Sequence, residues 1–422
     1  PDDIDSSNGW NPTDIHVRIY GAENEFPRAI AHRTTPEELP RMTKFSGFHH
    51  RVSALTTKLT EYAGYWVASE YNGWGATAEY LACRERVALL DLTPLRKFDI
   101  TGPDAVPFLQ YVLTQNIRRM SVGQIAHSAI CLETGGMIDD GTIFRMSEHA
   151  FRWCCGDEYT GVWMIEKARE KGFRVSIRNT TDQLHNLAVQ GPRSRELLCE
   201  IIWTPEHQPT VENLTWFHFL IGRIGGADGI PVMVSRTGYT GELGYEVWCH
   251  PDDAEATWDV IWDEGQQYDI APLGFDALDI LRIEAGLSMA ENEFGNDVTP
   301  FEAGTGFSVP LDKKEDDFIG RAALARQTPE SRHKLVGLIL DGEEGAAHGD
   351  LVYQGRFSVG LVTSATASPL LGKLIALCRL APDYAIKGTR LEVGKLDGHQ
   401  KRLSGEVVAL PFYDPKRTKL LS

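Results

Sequence analysis

The residues best suited to chemistry in this sequence are carboxylates set beside glycine turns. Asp139 and Asp140 follow a Gly-Gly pair in GGMIDDGTIF, residues 135–144. Glu242 stands in TGYTGELGYE, residues 237–246, where Gly238, Gly241 and Gly244 punctuate the chain and Tyr239 and Tyr245 add aromatic faces. Glycine lets a backbone take positive φ or approach a ligand closely, and an ionised carboxylate only accepts hydrogen bonds. A glutamate on such a loop is therefore suited to grip N–H groups. A plain hairpin with a glycine turn explains the same stretch, since Val232, Val234 and Val247 alternate with polar neighbours. The two readings are compatible.

Strand geometry separates the adjacent acids. With a period of two, Met137, Asp139, Gly141 and Ile143 share one face, and Ile138, Asp140, Thr142 and Phe144 the other. One carboxylate is expected to point inward or into a cavity, and the other to solvent or a backbone cap, with the order open.

The run YAGYWVASEYNGW, residues 62–74, is dense in aromatics. Core packing accounts for it; the sharper alternative has Tyr65, Trp66, Tyr71 and Trp74 lining a pocket, as a cation–π cage for an onium group. On a helix expected over residues 275–285, Arg282 either pairs with Asp279 and Glu284 or reaches a central site. The seven cysteines form no CxxC pair, so reduced core thiols are expected, with no disulfide framework and no metal site.

Residues 1–45 lack periodicity and read as an arm. Helical spacing is expected over 52–61, 76–89, 105–113, 159–171 (ending near Gly172), 194–202 and 252–268. Strands are expected at 97–100, 135–144, 151–156 and 175–178. From about Lys334, short runs at close spacing (336–340, 351–353, 358–363, 374–380, 390–393 and 405–410) predict an all-β domain, a small barrel or jelly roll. The expected division is an arm over 1–45, two discontinuous α+β lobes over 46–330, and a β domain over 331–422, joined through the charged stretch 325–333.

A length of 422 residues, 42% apolar and 24% charged, fits a multidomain globular chain. The net charge of −17 without a basic stripe argues against a nucleic-acid partner. No apolar run is long enough to span a membrane, and PDDIDSSNGW is unlike a signal peptide, so a cytoplasmic enzyme or binding protein is expected.

Taken together, the motifs resemble the aminomethyltransferase (glycine-cleavage T protein) family of tetrahydrofolate-dependent proteins. The resemblance runs through ACRERVALLDLT (82–93), GGMIDD (135–140), LAVQGP (187–192), TGYTGELGYE (237–246), LRIEAGLSMAENEF (281–294), TPFEAGTGFSV (299–309), FIGRAAL (318–324) and VTSATASPLLGKLIAL (362–377). It implies an α+β fold of three domains in a cloverleaf around a central folate channel. It also implies an essential aspartate at Asp139, with Asp140 the alternative, and a pterin-binding glutamate at Glu242, with Tyr239 and Arg282 beside the cofactor. A carboxylate suits the paired N–H donors of a pterin edge, and an aspartate beside a folate amine can orient it and move its proton.

Departures from the family pattern point away from glycine cleavage itself. Leu278 replaces an arginine, Gly156 an asparagine, and DLTPL stands at 91–95 where DVSHM is usual. With the acidic charge, which opposes docking of an acidic lipoyl carrier protein, these changes favour a demethylase that moves a methyl group from a small methylated donor to tetrahydrofolate, giving 5-methyltetrahydrofolate. The alternatives are an aminomethyltransferase or folate partner of an amine oxidase, giving 5,10-methylenetetrahydrofolate, and a non-catalytic folate-binding protein.

Overall fold

The computed structural model describes residues 43–327, 331–395 and 401–421. The arm expected over residues 1–45 lies almost wholly outside them.

Apolar runs interrupted by glycine turns build three β bodies and a small hairpin. A seven-stranded sheet runs in the order Ile202–Trp203, Phe219–Ile224, Ile230–Ser235, Gly244–Cys249, His185–Gln190, Ala88–Asp91, Ala271–Pro272, antiparallel except for the last pair. One of its faces carries Leu187, Val189, Val234, Tyr245 and Val247 into a core shared with Trp258 and Ile261 of the helix Ala254–Gly265. A five-stranded antiparallel sheet has the order Ile125–Cys131, Met137–Arg145, Ala150–Cys155, Arg96–Thr101, Ser176–Asn179. The helices Ala105–Val112 and Tyr159–Lys171 cover it, with Phe108, Trp163 and Met164 in its core. Gly161 is needed for that contact, since a Cβ there would sit 2.1 Å from the Phe98 ring.

The C-terminal strands close into a six-stranded barrel: Lys334–Leu340, Lys373–Leu380, Phe357–Ser368, Leu351–Gln354, Arg390–Gly394 and Arg402–Val408. Closure decides between the barrel and the jelly roll expected from the strand spacing. Alternate residues such as Leu338, Leu340, Val352 and Val393 fill its interior. Among the described residues, no helix is long and apolar enough to cross a membrane.

One helix is shorter than its periodicity suggested. It spans His49–Leu55 and stops where the Thr56 hydroxyl bonds the Glu70 carbonyl, 2.6 Å away. The residues after it, Leu59–Tyr62, pair with Tyr65–Ala68 as a hairpin. The first half of the aromatic run is therefore a strand pair, whose side chains alternate between two faces.

Candidate active site

Residues from both large sheets, from the loop around 285–307 and from the C-terminal segment 411–420 line one cavity of about 1550 Å³. Small-molecule pockets are typically about 300–1,000 Å³. The space therefore admits an extended ligand, or two ligands side by side.

Asp139 is the deepest acid of this wall, 1% exposed. Its carboxylate accepts from the backbone N–H of Asp140 at 2.8 Å, the backbone N–H of Asp157 at 3.1 Å and the Thr160 hydroxyl at 3.0 Å. Among the described residues no lysine or arginine reaches it. Burial, and then the charge of Asp140, push the carboxyl up to about 7. It can hold or release a proton near neutrality.

Asp140 also lines the cavity, so the two acids do not divide between interior and solvent as the strand period suggested. Its carboxylate meets His127 Nε2 at 3.1 Å. The strand Met137–Arg145 pairs with Ala150–Cys155 only from Gly141 onward, so the strand end that carries both acids borders the cavity.

The TGYTGELGYE stretch brings two glutamates to different places. Glu242 is not among the lining residues; it lies 3.3 Å from an Arg84 guanidinium nitrogen and hydrogen-bonds Tyr413. Arg84 in turn pairs with Glu284 at 2.8 Å, which accepts from Tyr80 and Ser368. Glu242 therefore belongs to a buried knot joining this loop to the C-terminal segment and the barrel. The cavity acid of the stretch is Glu246, 8% exposed, on the strand Gly244–Cys249. Ser235 stands opposite it in register, and the Ser235 and Thr237 hydroxyls bond its carboxylate. Burial pushes Glu246 up to about 7. Gly238 and Gly244 give the loop its path, because a Cβ at either would lie within 2.3 Å of the Gln190 side-chain amide.

The remaining expectations divide. Tyr239 lines the cavity and donates its hydroxyl to the Ser288 carbonyl at 2.5 Å. Arg282 does not line it; its guanidinium is consumed by Glu293 at 2.9 Å, Asp279 at 2.7 Å and Ser364 at 2.7 Å. Of the proposed aromatic cage only Tyr65 lines the cavity, its hydroxyl bonded to Asp182. Tyr71 is packed in the core of the seven-stranded sheet, Trp66 lies on the hairpin opposite Glu61, and Trp74 is 38% exposed at a helix start. The four do not converge, because the chain changes from hairpin to helix between them.

Other aromatics take that place: Tyr62, Trp216, Phe217, Trp248 and Phe275 all line the cavity. A usable signal for two residues was present, since Gly244, Glu246 and Trp248 share one strand face by a period of two. Trp216 and Phe217 come from a loop with no such pattern. Two departures also lie here: Leu278 lines the cavity, and a Cβ on Gly156 would sit 3.7 Å from Asp139 Oδ1.

Residues 48–313 match the family model of the GCVT N-terminal domain, and residues 333–414 that of the glycine cleavage T-protein C-terminal barrel domain. The chain belongs to the glycine-cleavage T-protein family. Within it, an aminomethyltransferase of Saccharopolyspora erythraea is 35% identical over 377 residues, covering 89% of this chain and 98% of the relative. A trimethylamine-oxide aldolase of Ruegeria pomeroyi is 52% identical over 419 residues, covering 99% of this chain but 53% of the relative. The chain thus spans about half the length of that protein. The crystal structure of aminomethyltransferase T from Bartonella henselae superposes with a TM-score of 0.77 at 23% identity, over 88% of this chain and 98% of that one, which establishes the shared T-protein fold.

Proposed function

We propose that this chain takes up a one-carbon unit from a methylated amine onto tetrahydrofolate. The observation that carries this reading is the 52% identity over 419 residues with a trimethylamine-oxide aldolase. An aldolase acting on that N-oxide releases an aldehyde, and its atoms balance as dimethylamine plus formaldehyde. Formaldehyde is at the oxidation level of the methylene unit.

The cavity residues suit a folate. Glu246 is a buried acceptor pair without a lysine or arginine within ion-pair distance among the described residues, which matches the paired donors of a pterin edge. Tyr62, Trp216 and Phe275 supply flat apolar walls, and Arg417 and Arg96, which also line the cavity, suit an acidic tail. Tetrahydrofolate, when bound, supplies amine nitrogens that accept the one-carbon unit. Asp139, fixed by three donors, would orient an amine N–H and hold its proton.

A second reading, methyl transfer giving 5-methyltetrahydrofolate, draws on the same aromatic walls, since Tyr62, Trp216 and Trp248 would suit an onium methyl donor. Both readings need no lipoyl carrier. Incubating the protein anaerobically with tetrahydrofolate and either ¹³C-formaldehyde or methyl-labelled trimethylamine oxide, then separating the folates by mass, decides between them. Labelled 5,10-methylenetetrahydrofolate formed faster than without protein is the expected result. Labelled 5-methyltetrahydrofolate selects the second reading, and no labelled folate above background overturns both.

A further inference from the structure

His127 belongs to no motif singled out in the sequence, yet it lines the cavity on the strand Ile125–Cys131, beside the acids of Met137–Arg145. Its Nε2 is 3.1 Å from Asp140 Oδ2, and the Phe307 ring lies against it with centroids 5.3 Å apart. Its other nitrogen, Nδ1, is buried with no protein partner. A buried polar atom without a partner points to a ligand or water as the missing one. An Asp140 carboxylate that accepts from Nε2–H leaves Nδ1 as the basic nitrogen, which is how an oriented acid–base histidine is built.

The chemistry proposed above needs such a group. When two amine nitrogens capture an aldehyde carbon, two C–N bonds form, the C=O bond breaks and no atom changes oxidation level overall. Two N–H protons are lost, and the carbonyl oxygen gains two as it leaves as water. Asp139 is poorly placed to manage both transfers, because three donors already occupy its oxygens. We propose that His127, oriented by Asp140, is a second acid–base residue of this cavity, exchanging the proton that lets the oxygen leave. Asp140 thereby has a role distinct from Asp139: it is a positioning residue.

This inference rests on the one-carbon reading, and the test separates the two. Capture of ¹³C-formaldehyde above background and the Kd for tetrahydrofolate are measured for wild type, His127→Ala and His127→Gln. Glutamine keeps a donor toward Asp140 but carries no exchangeable ring proton. Both variants are expected to bind folate within about threefold of wild type and to lose roughly 10²–10³-fold in capture rate, the usual scale of acid–base catalysis. Added imidazole should partly restore the alanine variant. A wild-type rate in either variant, or recovery by glutamine alone, overturns the inference while leaving the one-carbon reading intact. Absence of capture by wild type overturns both.

Discussion

Glu242 and Glu246 flank the same glycine, Gly244, yet meet opposite surroundings: Glu242 lies 3.3 Å from Arg84, while Glu246 is bonded by the Ser235 and Thr237 hydroxyls at the cavity wall and feels the Lys97 charge only from beyond ion-pair distance. The strand begins between them, so one acid is spent before it starts and the other takes its side-chain direction from the pleat. Their substitutions should therefore separate ligand binding from stability. Glu246→Gln is expected to weaken tetrahydrofolate binding about 10- to 150-fold, the equivalent of about 1.5–3 kcal/mol for a charge-assisted hydrogen bond. Glu242→Gln should leave Kd within about threefold. Equilibrium titration of both variants checks this, and a larger loss for Glu242→Gln would reverse the assignment.

Arg84 carries the knot behind that loop. It is buried between Glu242 and Glu284 and stacks 4.0 Å from the Tyr413 ring centroid. Removing it as Arg84→Met leaves two buried carboxylates without their cation, a change that costs about 3–5 kcal/mol in comparable buried pairs. Urea unfolding should show that loss, together with faster proteolysis at the segment 411–420, where the Arg84 guanidinium stacks on Tyr413 and the Glu284 backbone carbonyl accepts from the Phe412 and Tyr413 N–H groups. Unchanged stability would mean that the knot contributes nothing net.

The two cavity carboxyls also set a pH dependence whose sign is fixed. Asp139 rises from an ordinary 3.8, and Glu246 from 4.5, to about 7, both chiefly through burial. Between these limits the native protein holds protons that the unfolded chain releases. Their contribution to stability is full below about pH 4 and is lost as pH rises through about 7. Replacing Glu246 by glutamine removes one of these groups, so the difference in unfolding free energy between pH 5 and pH 8 should shrink relative to wild type. Equal differences in the two proteins would show that Glu246 is not protonated on folding.

Gly156 keeps the space beside Asp139 open. A Cβ there meets Asp139 Oδ1 at 3.7 Å, an ordinary contact, so Gly156→Asn should fold with little change in melting temperature. An amide donor at that place would favour the charged carboxylate and lower the Asp139 pKa. The acid limb of the capture-rate profile should move to lower pH; a profile that stays in place would show that the new side chain turns away.

Much of the fold was legible because it is written in local periods. The helix Tyr159–Lys171 ends at Gly172, whose positive φ is the ordinary helix stop, and the strand Ala150–Cys155 pairs with Met137–Arg145 as the alternation required. The helix expected across Glu61 was not borne out, because Thr56 finds its partner in Glu70, beyond the reach of a periodicity argument. Asp139 was visible as an acid on a strand after a Gly-Gly turn. His127 was not, since a lone histidine in an apolar strand carries no spacing signal.

By itself the sequence determined the family, the strand alternation that separates Asp139 from Asp140, and the glycines that shape the loop before Glu246. These follow from interactions between residues close along the chain, or from motifs whose order is preserved. Only the tertiary structure decided which carboxylates are free. Arg84 and Glu242, or Arg282 and Glu293, are brought together by packing of distant segments, and once a buried cation claims an acid, that acid is no longer available to a ligand. Asp139 and Glu246 stay available because no lysine or arginine of the described residues comes within ion-pair distance of either.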